Sequence, residues 1–437
     1  MIEREPNELD AWEAASLLAR RELSAVDMVR ACLARIELRD GEVHAFQCVA
    51  AEAALAHARS LDSGAVRGLL HGLPLGIKDI FDAVGMPATY GSPIYAQHFP
   101  VADAAVVALC KAAGGIALGK TVTTEFAAFE PGPTRNPHRL DHTPGGSSSG
   151  SAAAVAAHMV PLALGTQTAG SIIRPAAFCG VVGYKPSVGR VPRVGLRGLT
   201  ESFDSVGGFG RSVRDVGLLG AVLLGDKRLA ELPDSMADAQ PRIGFCHTDL
   251  WVVADDSTRD AWALAVRVLD RAGVATDQVE LPDACAPLCE LQQAVLAFEA
   301  ARNLADERLR HPNQISARLQ MLLDEGVAID GARHAANLAR VDLARREIEV
   351  CFEDVDALLA PSTIGEAPLG LESTGDPVFC RYWSLLGLPC VHLPFTRGVT
   401  GLPVGLQLIG RHGDDRRLLA LAHWLLQLLQ AEGLGQG

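Results

Sequence analysis

The chain has 437 residues, 49% of them hydrophobic, enough to bury a large core as one α/β domain or as two. A net charge of -13 leaves no basic footprint for nucleic acid. The longest apolar run, residues 152–165, is broken by His158 and Pro161 and is too short to span a bilayer; the acidic opening MIEREPNELD lacks the apolar stretch of a secretory signal. The expectation is therefore a cytoplasmic protein with neither nucleic acid nor membrane as a partner.

In chain order, residues 8–38 read as one or two amphipathic helices, with Asp10 and Ser24 as N-caps. PLGIKDIF (74–81) reads as a strand running into a loop. DAAVVALCKAAGG (103–115) reads as a helix with a glycine stop, followed by the strand IALGKT. An alanine-rich helix begins near Ser151, and residues 290–350, rich in Ala, Leu, Arg and Glu, read as helical. Strands return at DALLAP (356–361) and PVGLQLIG (403–410). A closing helix is capped near Asp414 and Asp415, with Leu418, Ala422, Leu425 and Leu429 on one face. Alternation of strands and helices predicts an α/β fold, a sheet with helices on both faces. No internal repeat or linker divides the chain. The ten cysteines show no pairing or metal-ligand cadence and read as reduced and mostly buried; Cys179, among apolar neighbours, reads as structural.

GGSSSG (145–150) has the composition of a flexible linker. Its flanks argue otherwise: Pro144 stiffens the entry, and the helix that follows aims N–H groups and a positive dipole end back at the loop. Two motif matches fail on context. GGIALGKT (114–121) fits the phosphate-loop pattern, but here the glycines end a helix and IALGKT is the strand itself, so Lys120 reads as a strand-end residue. GSSSG (146–150) fits the nucleophile elbow with Ser148 at its centre. That elbow requires a strand immediately before it, and TRNPHRLDHTPG is polar and contains two prolines.

GTQTAGSIIRPAAFCGVVGYKPS (165–187) presents a second glycine/threonine-rich turn, then Ser171, then Arg174; Lys78 lies earlier, in GIKD. These three segments resemble the amidase signature family, whose members carry a strand-end lysine, a GGSSGGS loop and a GTDTGGSIRxPA loop. GLPCVHLPF and GLPVGLQLIG resemble the family's closing region, so the resemblance covers most of the chain; the helical stretch 290–350 is its least diagnostic part. It implies the amidase-signature fold, a large mixed central β-sheet covered by helices on both faces. It also implies a single amidase domain over 1–437, with a signature core at about 60–215.

By that resemblance a Ser–Ser–Lys triad operates: Ser171 is the nucleophile, Ser147 the bridging serine and Lys78 the base, with the Gly146–Ser147 peptide cis. The chemistry agrees, because a serine hydroxyl needs an adjacent base and a lysine serves only when burial keeps it neutral. Asp79 would oppose that neutrality and is expected to point elsewhere. Ser148 and Ser149 are expected to hold the turn. Thr168, Ala169, Gly170 and Ser171 form the implied oxyanion hole. Arg174 and Thr166 are the implied substrate-binding residues. The chain departs from the family at Gln167, where most members carry Asp, and at Ala169, where many carry Gly. Arg174 stands three residues past Ser171 rather than two. That shift, the triple serine and STGDP (373–377) resemble malonamidase-type members.

The implied activity is hydrolysis of a small amide to acid and ammonia through a Ser171 acyl-enzyme, on a carboxylate-bearing, malonamate-like substrate. No metal or organic cofactor is required. Arg174 would hold the substrate carboxylate, unless a protein carboxylate is its partner. An amidotransferase-type glutaminase subunit, an amidase for neutral or aryl amides, and a non-catalytic binding protein are the alternatives. The small-molecule amide is the expected partner, and a homodimer stays open.

Overall fold

The computed structural model describes residues 4–433 apart from Asp234, Ala237 and Asp238; the two ends of the expected 1–437 domain lie outside the described residues. Its strands are β1 (Phe46–Val49), β2 (Pro74–Lys78), β3 (Ile116–Thr121), β4 (Leu162–Gln167), β5 (Val182–Lys185), β6 (Ser205–Gly210), β7 (Arg242–Phe245), β8 (Ala275–Gln278), β9 (Ala357–Pro361), β10 (Cys390–Arg397) and β11 (Pro403–Ile409). They form one 11-stranded sheet in the order β1-β3-β2-β4-β6-β5-β10-β11-β9-β7-β8. The sheet is mixed: β2 is parallel to β3 and β4, and β7 to β8 and β9, while the remaining pairs are antiparallel.

Both faces are covered because successive strand side chains point to opposite sides. In β9, Ala357 and Leu359 join one apolar cluster with the helices Val213–Leu224, Asp256–Arg271 and Asp415–Gly433. Leu358 and Ala360 join the other, with the helices Ser149–Ala156 and Ile173–Cys179. Leu418, Ala422, Leu425 and Leu429 of the closing helix are buried as expected. No helix among the described residues is long and apolar enough to cross a membrane.

The N-terminal helices are Ala11–Ala19 and Ala25–Val43, and the Ser24 side chain caps the second by accepting from Asp27 N–H. The expected cap at Asp10 needs correction. Asp10 holds the cap position but makes no side-chain cap bond; it lies 3.5 Å from Arg211, while Trp12 N–H donates to Asp215 at 2.9 Å. The stretch 290–350 is helical (Leu288–Asn303, Ala305–Arg310, Ala317–Val327, Gly331–Glu347) and lies over one end of the sheet strands that carry the site. Lys120 is a buried strand residue paired with Asp79, not a phosphate-loop lysine.

Candidate active site

Lys78 ends β2, and β4 runs parallel beside it with Ile77 opposite Leu164. The carboxyl ends of two adjacent parallel strands therefore open at the same place, the common position for sites on such sheets. From β2 comes Lys78, and from the turn after β4 come Thr168 to Ser171. The 145–148 loop approaches from the start of the helix Ser149–Ala156. That helix seats closely because Gly150 donates to Val122 O at 3.0 Å; a Cβ on Gly150 would fall 2.1 Å from Ala45 O.

The structure brings Lys78 and Ser147 together. Lys78 Nζ donates to Ser147 Oγ at 2.8 Å and to Thr166 Oγ1 at 2.6 Å, and Lys78 is fully buried. Burial holds its ammonium form well below the usual lysine range, with Asp204 pulling weakly the other way. Asp79 does point elsewhere: it takes the Lys120 ammonium and accepts from Thr89 N–H. The Gly146–Ser147 peptide is cis. Ser148 Oγ donates to Thr166 O at 3.3 Å and Ser149 Oγ to Gly145 O at 2.8 Å, so both serines brace the loop. Cys179 is buried, its thiol pushed up by burial and donating to Pro144 O.

Ser171 opens onto a cavity of about 300 Å³ that is also lined by Thr168, Ala169 and Arg174. Among the described residues, the backbone N–H groups of Ala169, Gly170 and Ser171 donate to no other group. Gln167 explains its own departure from the family pattern. Its Oε1 accepts from the N–H groups of Ile172 and Ile173 at 2.8 and 2.9 Å, which caps the helix Ile173–Cys179. Its Nε2 donates to Ser384 Oγ at 3.0 Å, and Ser384 Oγ donates to Ala169 O at 2.6 Å. Thr168 Oγ1 donates to Asp204 at 2.6 Å. Asp204 also accepts from Leu199 N–H, Thr200 N–H and Thr200 Oγ1, so the turn is anchored from both sides.

The two residues expected to bind substrate, Thr166 and Arg174, are each hydrogen-bonded within the protein. The Thr166 hydroxyl accepts from Lys78; like Lys78 and Ser147, Thr166 is not among the residues lining the cavity. Arg174 forms no ion pair with a protein carboxylate among the described residues, and it lines the cavity. Its Nε and Nη2 donate to Gly146 O at 3.2 and 2.7 Å, and its Nη1 donates to Gly375 O. The residue one turn after Ser171 thus grips the carbonyl just before Ser147. Burial lowers its pKa to about 10, so it stays charged at neutral pH. Sequence reading missed Asp204, Ser384, Arg318, Arg381 and Gln292, which no short motif marks.

The Amidase family model matches residues 27–419. A glutamyl-tRNA(Gln) amidotransferase subunit from Roseiflexus sp. (strain RS-1) is 34% identical over 469 residues, covering 95% of each chain. Its counterpart in Geobacillus kaustophilus (strain HTA426) is 33% identical, covering 94% of this chain and 95% of its own. Among solved structures, a chain from a vestigial protein complex bearing on the origins of an s-triazine catabolic enzyme superposes with a TM-score of 0.87 at 31% identity, covering 96% of this chain and 98% of its own. The native peptide amidase from Stenotrophomonas maltophilia gives 0.80 at 30% identity, covering 97% and 98%. The fold and these relatives together place the chain in the Amidase family, enzymes that hydrolyse amide C–N bonds.

Proposed function

We propose that this amidase hydrolyses a small, carboxylate-bearing amide of the malonamate kind to acid and ammonia, with Ser171 as nucleophile, Ser147 as proton relay and Lys78 as base. The observation that carries the reading is the Lys78–Ser147 hydrogen bond inside a site whose burial lowers the lysine's pKa. Ser171 Oγ attacks the amide carbon; its proton passes to Ser147 Oγ as the Ser147 proton moves to Lys78 Nζ. The carbonyl oxygen becomes an oxyanion facing the free N–H groups of Ala169, Gly170 and Ser171. Collapse breaks the C–N bond, and the proton returns through Ser147 to the departing nitrogen, giving ammonia and an acyl-Ser171. Water then attacks the ester by the same route in reverse.

Charge supports the acidic substrate. The cavity is lined by Arg174, Arg318 and Arg381 against one carboxylate, Asp376. In this reading Arg174 supplies positive potential and holds the Ser147 loop. The test is ammonia release by the purified chain alone, without ATP, from malonamate, propionamide, glutamine and aryl amides. Malonamate is expected to lead. Release only from glutamine and only with partner subunits would support the second reading, a glutaminase subunit, which the amidotransferase relatives favour. Turnover confined to neutral or peptide amides would remove the acidic substrate.

A further inference from the structure

The roof of the cavity holds a donor with nothing to bind. Gln292, near the start of the helix Leu288–Asn303, is 1% exposed and lines the cavity with Ser171. Its Nε2 is buried without a hydrogen-bond partner among the described residues, so a half-turn of the amide about its last torsion would aim it at a ligand. Buried amide groups are normally paired, and each exception calls for a reason. Leu296, one turn along the same helix, and Leu322, on Ala317–Val327, line the cavity beside it. A second donor is idle in the same lining. Arg381, on the helix Val378–Leu386, has a buried Nε without a partner among the described residues, and its Nη2 stands 3.6 Å from Asp376. The helices that carry Gln292 and Arg381 pack directly on each other.

Arg174 was the expected anchor for a substrate carboxylate, but three of a guanidinium's five N–H groups are already engaged by the Gly146 and Gly375 carbonyls. The unfilled donors lie on the helices Leu288–Asn303 and Val378–Leu386 instead. We propose that Gln292, together with Arg381, is the substrate-binding pair that takes the carboxylate at the far end of the amide substrate while its carbonyl lies over Ser171. This rests on the acidic-amide reading above and names the residues that would read the acid.

The test compares the wild type with Gln292→Leu, close in size and without a donor, and Gln292→Glu, which puts a carboxylate in the roof. Calorimetry would measure malonate and propionate binding; kinetics would measure the ratio of kcat/KM for malonamate over propionamide. In Gln292→Leu the malonate Kd is expected to rise about tenfold relative to any change for propionate, and the kcat/KM ratio to fall about tenfold, mainly through KM. Gln292→Glu should lose more malonate affinity than Gln292→Leu. Equal losses for malonate and propionate would make Gln292 merely structural, and an unchanged malonate Kd would exclude it from the site; either overturns the proposal. A wild type that binds no malonate overturns it as well. Gln292-dependent malonate binding in an enzyme that leaves malonamate intact would instead uphold the proposal and sink the catalytic reading alone.

Discussion

Lys78 is the residue whose setting decides the chemistry. A lysine in water is protonated at neutral pH and cannot accept a proton; here burial disfavours the ammonium, against the pull of Asp204. Activity should therefore rise with pH as Lys78 loses its proton, in a range well below that of an exposed lysine. The same shift has a consequence for stability. The folded-state pKa lies below the unfolded one, so between the two the unfolded chain binds the extra proton, and wild-type stability rises with pH across that window. Lys78→Met should be inactive. Its thermal unfolding midpoint, measured against wild type, should compare more favourably at pH 7 than at pH 10; a pH-independent difference would mean Lys78 is charged in the fold. Ser171→Ala should abolish ammonia release, and its unfolding curve should overlay the wild type because only one hydroxyl is removed. Appreciable turnover by that variant would move the nucleophile elsewhere, with Ser148 the first suspect.

At the scale of elements, the turn after β4 is held by side chains from three places. Gln167 caps the helix that follows, Asp204 holds Thr168, and Ser384 holds Ala169 from the helix Val378–Leu386. A turn that must present N–H groups to a transient charge works only if it is already rigid. Ser384→Ala removes the link to Ala169 O and also leaves the Gln167 Nε2 without its partner, so the turn loses support on both counts. If the turn drifts by as much as about 1 Å, kcat should fall by up to about a hundredfold with KM changed much less. Steady-state kinetics at fixed pH checks this; a loss confined to KM would place Ser384 in substrate binding.

At the scale of the molecule, the helical stretch forms the roof, and buried polar links fix it to the segments that follow β2, β3 and β5. Glu307 accepts from Tyr95 Oη at 2.6 Å and pairs with Arg197, while Glu125 accepts from Ser316 N–H at 3.0 Å, at the N-cap of Ala317–Val327. Glu307→Ala would strand the Tyr95 hydroxyl and the Arg197 guanidinium. Because Arg197 is 31% exposed, water compensates part of the loss, and a cost of about 1–3 kcal/mol is expected. Chemical denaturation measures it. KM for malonamate should rise more than kcat falls, since the roof and not the triad is disturbed.

The amino-acid sequence by itself determined the local parts of this enzyme. A strand ending in lysine, a glycine-fenced serine loop opening a helix, and a second turn carrying Ser171 are each short stretches whose backbone needs and side chains lie together in the chain. The apolar faces of β2, β3, β9, β11 and the closing helix were legible for the same reason. β6, SVGGFG, was not, because three glycines carry little strand propensity and the strand exists only through its partners β4 and β5. The tertiary structure decided the rest, because those contacts join residues far apart in the chain. That Arg174 also binds the carbonyl of Gly375, 201 residues on, is written in no local motif. Gln167 reads as a simple departure until Ser384, 217 residues on, gives its amide a partner. Gln292 sits in a helical stretch with no motif at all, and only the packing of the roof over Ser171 brings its side chain into the cavity lining with the amide nitrogen buried and unpaired among the described residues.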